Sequence, residues 1–399
     1  MSLNKKTISV ILGTRPEAIK MAPVIAALRR ERASVDVVST GQHEGLMQPV
    51  LDLFDIRPDV NLGVMQRCQS VSDVFGTLVC ELPAVFARSK PEIVLVHGDT
   101  ASAAAAGTAC FLNRIKIGHV EAGLRSYDLY QPWPEEFNRR LIDLVSSIYF
   151  APTNKAREAL LAEGVADAAI SVTGNTVVDA LLSTVEAITR NAELRARLER
   201  DYGRHFQTAQ TILVTSHRRE NFGAGLTNIC DALLSLSRRP GISVVWPVHL
   251  NPQVRQHVTA ALGQVPNIHL IEPAGYVEFT YLMMRSALIL TDSGGVQEEA
   301  PSLGKPLLIL RDVTERPEVV EHGLARLVGT DRERIVGEAT RCLDRATEPH
   351  RSSFNPFGDG AASDRIVERL TWDFTGSGAG MPIPAAWRPA VAGASRLDS

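Results

Sequence analysis

Short β-branched runs separated by helix-length stretches recur in two series along this 399-residue chain, and that alternation constrains its fold more than any other feature. The first series is Ile8–Leu12, Val35–Ser39, Ile93–Val96, Ile115–Val120, Ile148–Ala151 and Ile170–Val172. The second is Thr211–Thr215, Ile242–Val248, Ile268–Ile271, Leu288–Thr291, Leu307–Leu310 and Arg326–Val328. Strands alternating with helices pair in parallel, so each series predicts an α/β half with a parallel sheet. The length exceeds one ordinary core, and two doubly wound halves account for it. We place the change of half near Gly174–Asp179. Asn191–His205, rich in Arg, Glu and Ala, reads as a solvated helix beside it. Met381–Ser399, dense in Ala, Gly and Pro, has no periodicity and reads as a flexible tail.

Composition removes several function classes. A net charge of −3 argues against a nucleic-acid footprint, which carries a basic excess. No run approaches the length of a membrane span, and the first residues lead straight into a strand, so a cytoplasmic protein with no membrane partner is expected. The five cysteines (Cys68, Cys80, Cys110, Cys230, Cys342) are scattered, without C-x-x-C spacing, and read as reduced, buried thiols with no metal role. Gly376-Ser377-Gly378 follows no strand that feeds a helix, so it is linker rather than a dinucleotide fingerprint, and no P-loop, H-E-x-x-H or G-x-S-x-G motif is present.

What remains is a set of polar turns behind strands. Gly13-Thr14-Arg15-Pro16-Glu17-Ala18-Ile19-Lys20 follows the first, with a capping-box pair in Thr14 and Glu17. Ligands in open α/β sheets bind at the carboxyl ends of strands, where helix N-termini attract anions, so Arg15 and Lys20 read as grips on a phosphate. In the second half, Ser293-Gly294-Gly295 behind Leu288–Thr291 offers bare backbone N–H groups and a hydroxyl, and Glu298 or Glu299 can accept from vicinal ribose hydroxyls. His217 beside Arg218 and Arg219 suits an anion, as a neutral donor or as an imidazolium that protonates a leaving diphosphate. Arg316 is a better anion candidate than Arg311, which Asp312 follows. Asp99, Glu121 and Glu135 read as acids on consecutive strand ends, able to act as general acid and base.

Taken in order, the strings GTRPEAIKMAP, VHGDT, HVEAGLRS, PWPEEFNR, TGNTVVDAL, TSHRREN, PVHLNP, LTDSGGVQEEAPSLGKP and TERPE resemble those of bacterial non-hydrolysing UDP-N-acetylglucosamine 2-epimerases, over almost everything from Ile8 to about Leu370. The resemblance implies two Rossmann-like doubly wound domains facing a central cleft, a glycosyltransferase-B-type fold. They would be residues 1–175 with a returning segment at about 365–380, and residues 176–364, before the 381–399 tail. It also implies a likeness to homodimers that need no cofactor and interconvert a UDP-sugar substrate, UDP-N-acetylglucosamine, with UDP-N-acetylmannosamine for bacterial surface polysaccharide. By matching motif, Asp99, Glu121, Glu135 and His217 resemble the family's catalytic residues, with Arg15 and Lys20 beside them, and Arg218, Ser293, Gly294, Gly295, Glu299 and Arg316 its substrate contacts. Gln42, His43, Glu136, Arg218 and His249 match a second, activating UDP-GlcNAc site of some lineages. There the chain departs: at Met65-Gln66-Arg67-Cys68-Gln69 the arginine stands one position earlier than in those members.

Overall fold

A computed structural model describes residues 3–4, 6–42, 44–65, 70–345 and 354–375. The 381–399 tail, Gly376-Ser377-Gly378, His43, Cys68 and the Arg67 departure lie outside the described residues. The chain forms two compact units, one running to Thr176 and resuming at Ala361, the other Val177–Gly360.

The first unit carries a seven-stranded sheet of β1 (Thr7–Leu12), β2 (Ser34–Ser39), β3 (Val60–Asn61), β4 (Ile93–His97), β5 (Lys116–Val120), β6 (Ile148–Ala151) and β7 (Ile170–Val172). Its order is β3-β2-β1-β4-β5-β6-β7, parallel throughout. The second carries β8 (Gln210–Thr215), β9 (Ile242–Pro247), β10 (Ile268–Ile271), β11 (Leu288–Thr291), β12 (Leu307–Ile309) and β13 (Ala325–Leu327), ordered β10-β9-β8-β11-β12-β13. These are the two expected doubly wound sheets. Strand β3 was not expected, because two residues are too few to show a period. Each order reverses once, between β1 and β4 and between β8 and β11, and a crevice opens at such a reversal because the flanking crossovers go to opposite faces.

Both faces of each sheet are covered, which is why the strands read as continuous apolar runs. In the second unit Ile212, Val214, Val244, Trp246, Leu288 and Leu290 pack on one side, and Leu213, Val245 and Ile289, one residue out of phase, pack on the other. In the first unit the alanine-rich helix Ala101–Leu112 lies against Val71–Ser89 over Val94, Val96 and Ile117. The helix Ala192–Tyr202 is mostly exposed, with Leu198 as its buried anchor. The last helix, Ala362–Thr375, packs on Arg15–Arg30 of the first unit, where Arg365 donates to the Thr173 carbonyl at 3.0 Å and Arg369 to Ser171 Oγ at 3.0 Å.

Among the described cysteines, Cys110 and Cys230 are buried and Cys342 is half-buried, but Cys80 is exposed, which corrects the expectation that all are buried. No described helix is long and apolar enough to cross a membrane.

Candidate active site

The first unit's polar residues collect where β1 meets β4. Thr14 is the N-cap of Arg15–Arg30, and Glu17 reaches back to accept from the backbone N–H of Thr14 and, at 3.1 Å, of Gly13. This closes the turn and directs Arg15, half-buried and without an ion-pair partner among the described residues, out of the helix start. Lys20, one turn on and buried, pairs with Glu121. Glu121 also accepts from Asn175 Nδ2 at 2.8 Å and lies 3.7 Å from His97 Nε2. Its backbone is left-handed (φ 68°), a conformation that costs a non-glycine residue energy, and the N–H groups of Glu121 and Ala122 both donate to the Phe150 carbonyl at 3.1 Å. The strand edge therefore holds this carboxylate in place.

Asp99 follows β4 and pairs with Arg139. Burial raises its pKa, while the Arg139 charge and hydrogen bond pull it back. His119, fully buried, places Nδ1 2.6 Å from Asp143 and Nε2 2.8 Å from the Gly98 carbonyl, and so ties the Gly98–Asp99 turn to the helix Glu135–Val145. Glu135 opens that helix and is not at a strand end. This corrects the expectation of three consecutive strand-end acids: a loop intervenes after β5, and of the three only Asp99 and Glu121 stand within two residues of a strand end. The Glu135 Oε2 atom is buried without a hydrogen-bond partner among the described residues.

Of the residues matched to an activating site, Gln42 accepts from Ser102 Oγ at 2.7 Å, and Glu136, buried, accepts from the backbone N–H of Ser126 at 2.9 Å and of Tyr127 at 3.3 Å.

In the second unit the reversal brings β8 beside β11, with Thr215 opposite Thr291. The next residues, Ser216-His217-Arg218 and Asp292-Ser293-Gly294-Gly295, consequently meet. His217 stacks on His249 at 5.9 Å between ring centres. Burial lowers the His217 pKa, His249 and Arg218 push the same way, and Asp292 opposes them. Ser293 is the N-cap of Gly294–Glu299, and its hydroxyl makes no cap bond within the chain. Arg218 reaches Glu315 at 3.5 Å. Arg316 pairs with the buried Glu298, and Arg311 pairs with Glu220 at 2.7 Å, so these three guanidiniums each already have a carboxylate. Glu299, also buried, accepts from Tyr276 Oη at 3.0 Å.

Asp292, Tyr276, Asn175, His97, Arg139 and the His119–Asp143 pair are members of these clusters that sequence reasoning did not single out. For Asp292 a signal existed: an acid directly after a strand and directly before Ser-Gly-Gly. For Tyr276 and Asn175 none did, because their partners are 23 and 54 residues away.

Comparison with known proteins gives the family. The family model for UDP-N-acetylglucosamine 2-epimerase matches residues 26–371. The chain is 49% identical over 364 residues to the UDP-N-acetylglucosamine 2-epimerase of Escherichia coli K12, covering 90% of this chain and 97% of that one. It is similar to the crystal structure of the Neisseria meningitidis UDP-GlcNAc 2-epimerase bound to UDP-GlcNAc (TM-score 0.83, 45% identity, 92% of this chain and 99% of that one). The Methanocaldococcus jannaschii enzyme in complex with UDP-GlcNAc and UDP is also similar (TM-score 0.77, 36% identity, 92% and 99%). With two doubly wound sheets, polar turns at both reversals and a match along almost its whole length, the chain belongs to the UDP-N-acetylglucosamine 2-epimerase family.

Proposed function

We propose that this protein interconverts UDP-N-acetylglucosamine and UDP-N-acetylmannosamine without hydrolysis, by eliminating UDP to 2-acetamidoglucal and adding it back. The C2 proton beside an acetamido group is not acidic, and removing it directly would leave an unstabilised carbanion. When the C1–O bond breaks first, positive charge at C1 makes that proton removable. Hydrogen then returns to the opposite face of C2. Two faces call for acid/base groups on both sides of the ring, and Asp99, Glu121 and Glu135 are the candidates. Charge building on the diphosphate is assigned to His217, Arg218, Arg15, Lys20 and the Ser293-Gly294-Gly295 turn, since fixed donors aimed at developing charge are commonly the largest catalytic contribution. Glu299 is assigned to the ribose hydroxyls, with Arg316 completing the nucleotide contacts.

The observation that carries this reading is the grouping of buried or half-buried carboxylates about Lys20 and Arg139 in the first unit. The same reading takes the protein as a cytoplasmic homodimer with a UDP-sugar substrate, serving bacterial surface polysaccharide synthesis, with residues 1–175 plus about 365–380 and residues 176–364 as its domains. Gln42, Glu136, Arg218 and His249 are proposed for the activating nucleotide sugar, a role that equilibrium binding of a second UDP-GlcNAc tests.

Turnover in deuterated water should place deuterium at C2 of the product, and phosphorus NMR should show intact UDP-sugars at equilibrium. Product free of deuterium contradicts elimination. Stoichiometric free UDP identifies the hydrolysing reaction instead.

A further inference from the structure

The His217 ring has two distinct ends, and one of them faces a buried carboxylate. Nδ1 lies 3.3 Å from Asp292 Oδ1, whereas Nε2 has no partner among the described residues. Asp292 is fully buried. Its Oδ2 accepts from Ser216 Oγ at 2.8 Å, Asn221 Nδ2 at 3.0 Å and the Arg218 N–H at 3.0 Å, and the His217 N–H donates to Oδ1 at 3.1 Å and Oδ2 at 3.0 Å. Each of these partners is a donor, so the carboxylate serves as an acceptor throughout. The bonds crowd Oδ2, fix the carboxylate plane and leave Oδ1 turned to the imidazole. Asn221 also donates to the Leu310 carbonyl at 3.1 Å, which anchors the assembly to the end of β12.

We propose that Asp292 is a positioning residue for His217, holding Nδ1–H so that a bound diphosphate meets the ring through Nε2 and as an imidazolium. This rests on the reading of His217 as a diphosphate contact. The reasoning concerns tautomers. If Nδ1 carries its hydrogen toward Asp292, a neutral ring offers only a lone pair at Nε2, which repels a phosphate oxygen. An imidazolium has a second N–H there. The two donor options open from sequence thus reduce to one.

The step balances. The C2–H proton passes to a carboxylate and its electron pair forms the C1–C2 double bond. The C1–O pair stays on the β-phosphate oxygen, which takes the Nε2 proton, and His217 is left as the neutral Nδ1–H tautomer. Asp292 keeps its charge, and readdition reverses every transfer. Among the described residues, the charged and titratable groups facing the imidazole are Asp292, His249 and Arg218. Burial, His249 and Arg218 disfavour the imidazolium, and Asp292 favours it.

The test is NMR of the full chain with nitrogen-15 histidine, the His217 signals being assigned by their loss in His217→Gln. The neutral ring should be protonated at Nδ1, and UDP should raise its titration midpoint by about one pH unit or more. In Asp292→Asn the midpoint should fall by about one unit and kcat by about a hundredfold, with KM changed less than about threefold. An Nε2–H tautomer in the unsubstituted protein overturns the proposal, and that measurement needs no variant to fold. An unmoved midpoint on adding UDP overturns it too. So does an Asp292→Asn effect on turnover as large in the His217→Gln background as alone, since Asp292 then acts on something other than the ring. Full turnover by His217→Gln would instead overturn the functional reading of His217, while the tautomer still decides the Asp292–His217 link.

Discussion

Glu17 accepts the Thr100 hydroxyl at 2.8 Å and so links the turn after β1 to the turn after β4. The two strands are neighbours, and the two residues are 83 positions apart in the chain. Glu17 sits in the first turn of Arg15–Arg30, and Thr100 is the N-cap of Ala101–Leu112, its Oγ1 accepting the Ala103 N–H at 3.0 Å. One buried carboxyl group therefore couples the helix starts that carry Arg15 and Lys20 on one side and follow Asp99 on the other.

Glu17 should make stability depend on pH. Burial lifts its pKa from 4.5 to about 7, although hydrogen bonds from Thr14, Thr100 and Gly13 pull it down. A raised folded value means that the folded chain holds a proton that the unfolded chain has released. The contribution is whole below pH 4.5 and is lost as pH rises through about 7, with a span on the order of 3 kcal/mol. In Glu17→Gln, which keeps an acceptor for the turn and turns an amide N–H toward the Thr100 hydroxyl oxygen, that dependence is absent. Urea unfolding should show wild type losing ground to the variant between about pH 5 and about pH 8. Parallel stability curves for the two proteins would count against a protonated Glu17.

His97 should act with the opposite sign. Burial lowers its pKa from 6.5 to about 3, against the pull of Glu121. Its contribution is whole above pH 6.5 and is lost as pH falls toward 3. His97→Gln should therefore flatten the acid limb of the stability curve and leave the limb above neutral pH in place. Circular dichroism during acid titration reads the difference.

Gly123 and Gly164 both have φ 86°, but their surroundings differ. A Cβ on Gly123 would lie 2.3 Å from the Ala156 carbonyl oxygen, whereas a Cβ on Gly164 would meet nothing within 4 Å. Gly164→Ala should cost about 1 kcal/mol, from backbone conformation alone. Gly123→Ala adds a backbone clash two residues from Glu121, and should cost roughly 3 kcal/mol or more together with most of the turnover. Equal melting temperatures for the two variants would contradict this.

Lys20→Met should uncouple stability from activity less cleanly than a surface change. It removes the buried ammonium facing the half-buried Glu121 carboxylate, and losing one member of a buried pair typically costs about 3–5 kcal/mol. Glu121→Gln retains an acceptor for Asn175 Nδ2 and should be the milder of the two for folding. Thermal unfolding of both, beside turnover, tests the order.

Legibility followed the range of the interactions. The strand series could be read because each strand carries its own apolar run, and boundaries moved by only a residue or so, as where His97 joins β4 and Leu310 leaves β12. The turns Gly13–Arg15, Gly98–Asp99, Ser216–Arg218 and Ser293–Gly295 could be located because Gly, Thr, Ser and Pro mark strand ends and helix starts locally. Glu135 was misplaced because nothing between β5 and its helix distinguishes a long loop from another strand. Asn175, Tyr276 and His97 went unread because each acquires its partner only in the folded chain.

By itself the sequence determined element type, parallel pairing, capping and the chemical character of the turns, since these depend on periodicity and on neighbours within a few residues. Tertiary structure decided which turns meet. The order of strands sets β1 against β4 and β8 against β11, and that adjacency alone joins Glu17 to Thr100 and Asp292 to His217. Such pairs arise from sheet topology and burial, which act between residues that no local pattern connects.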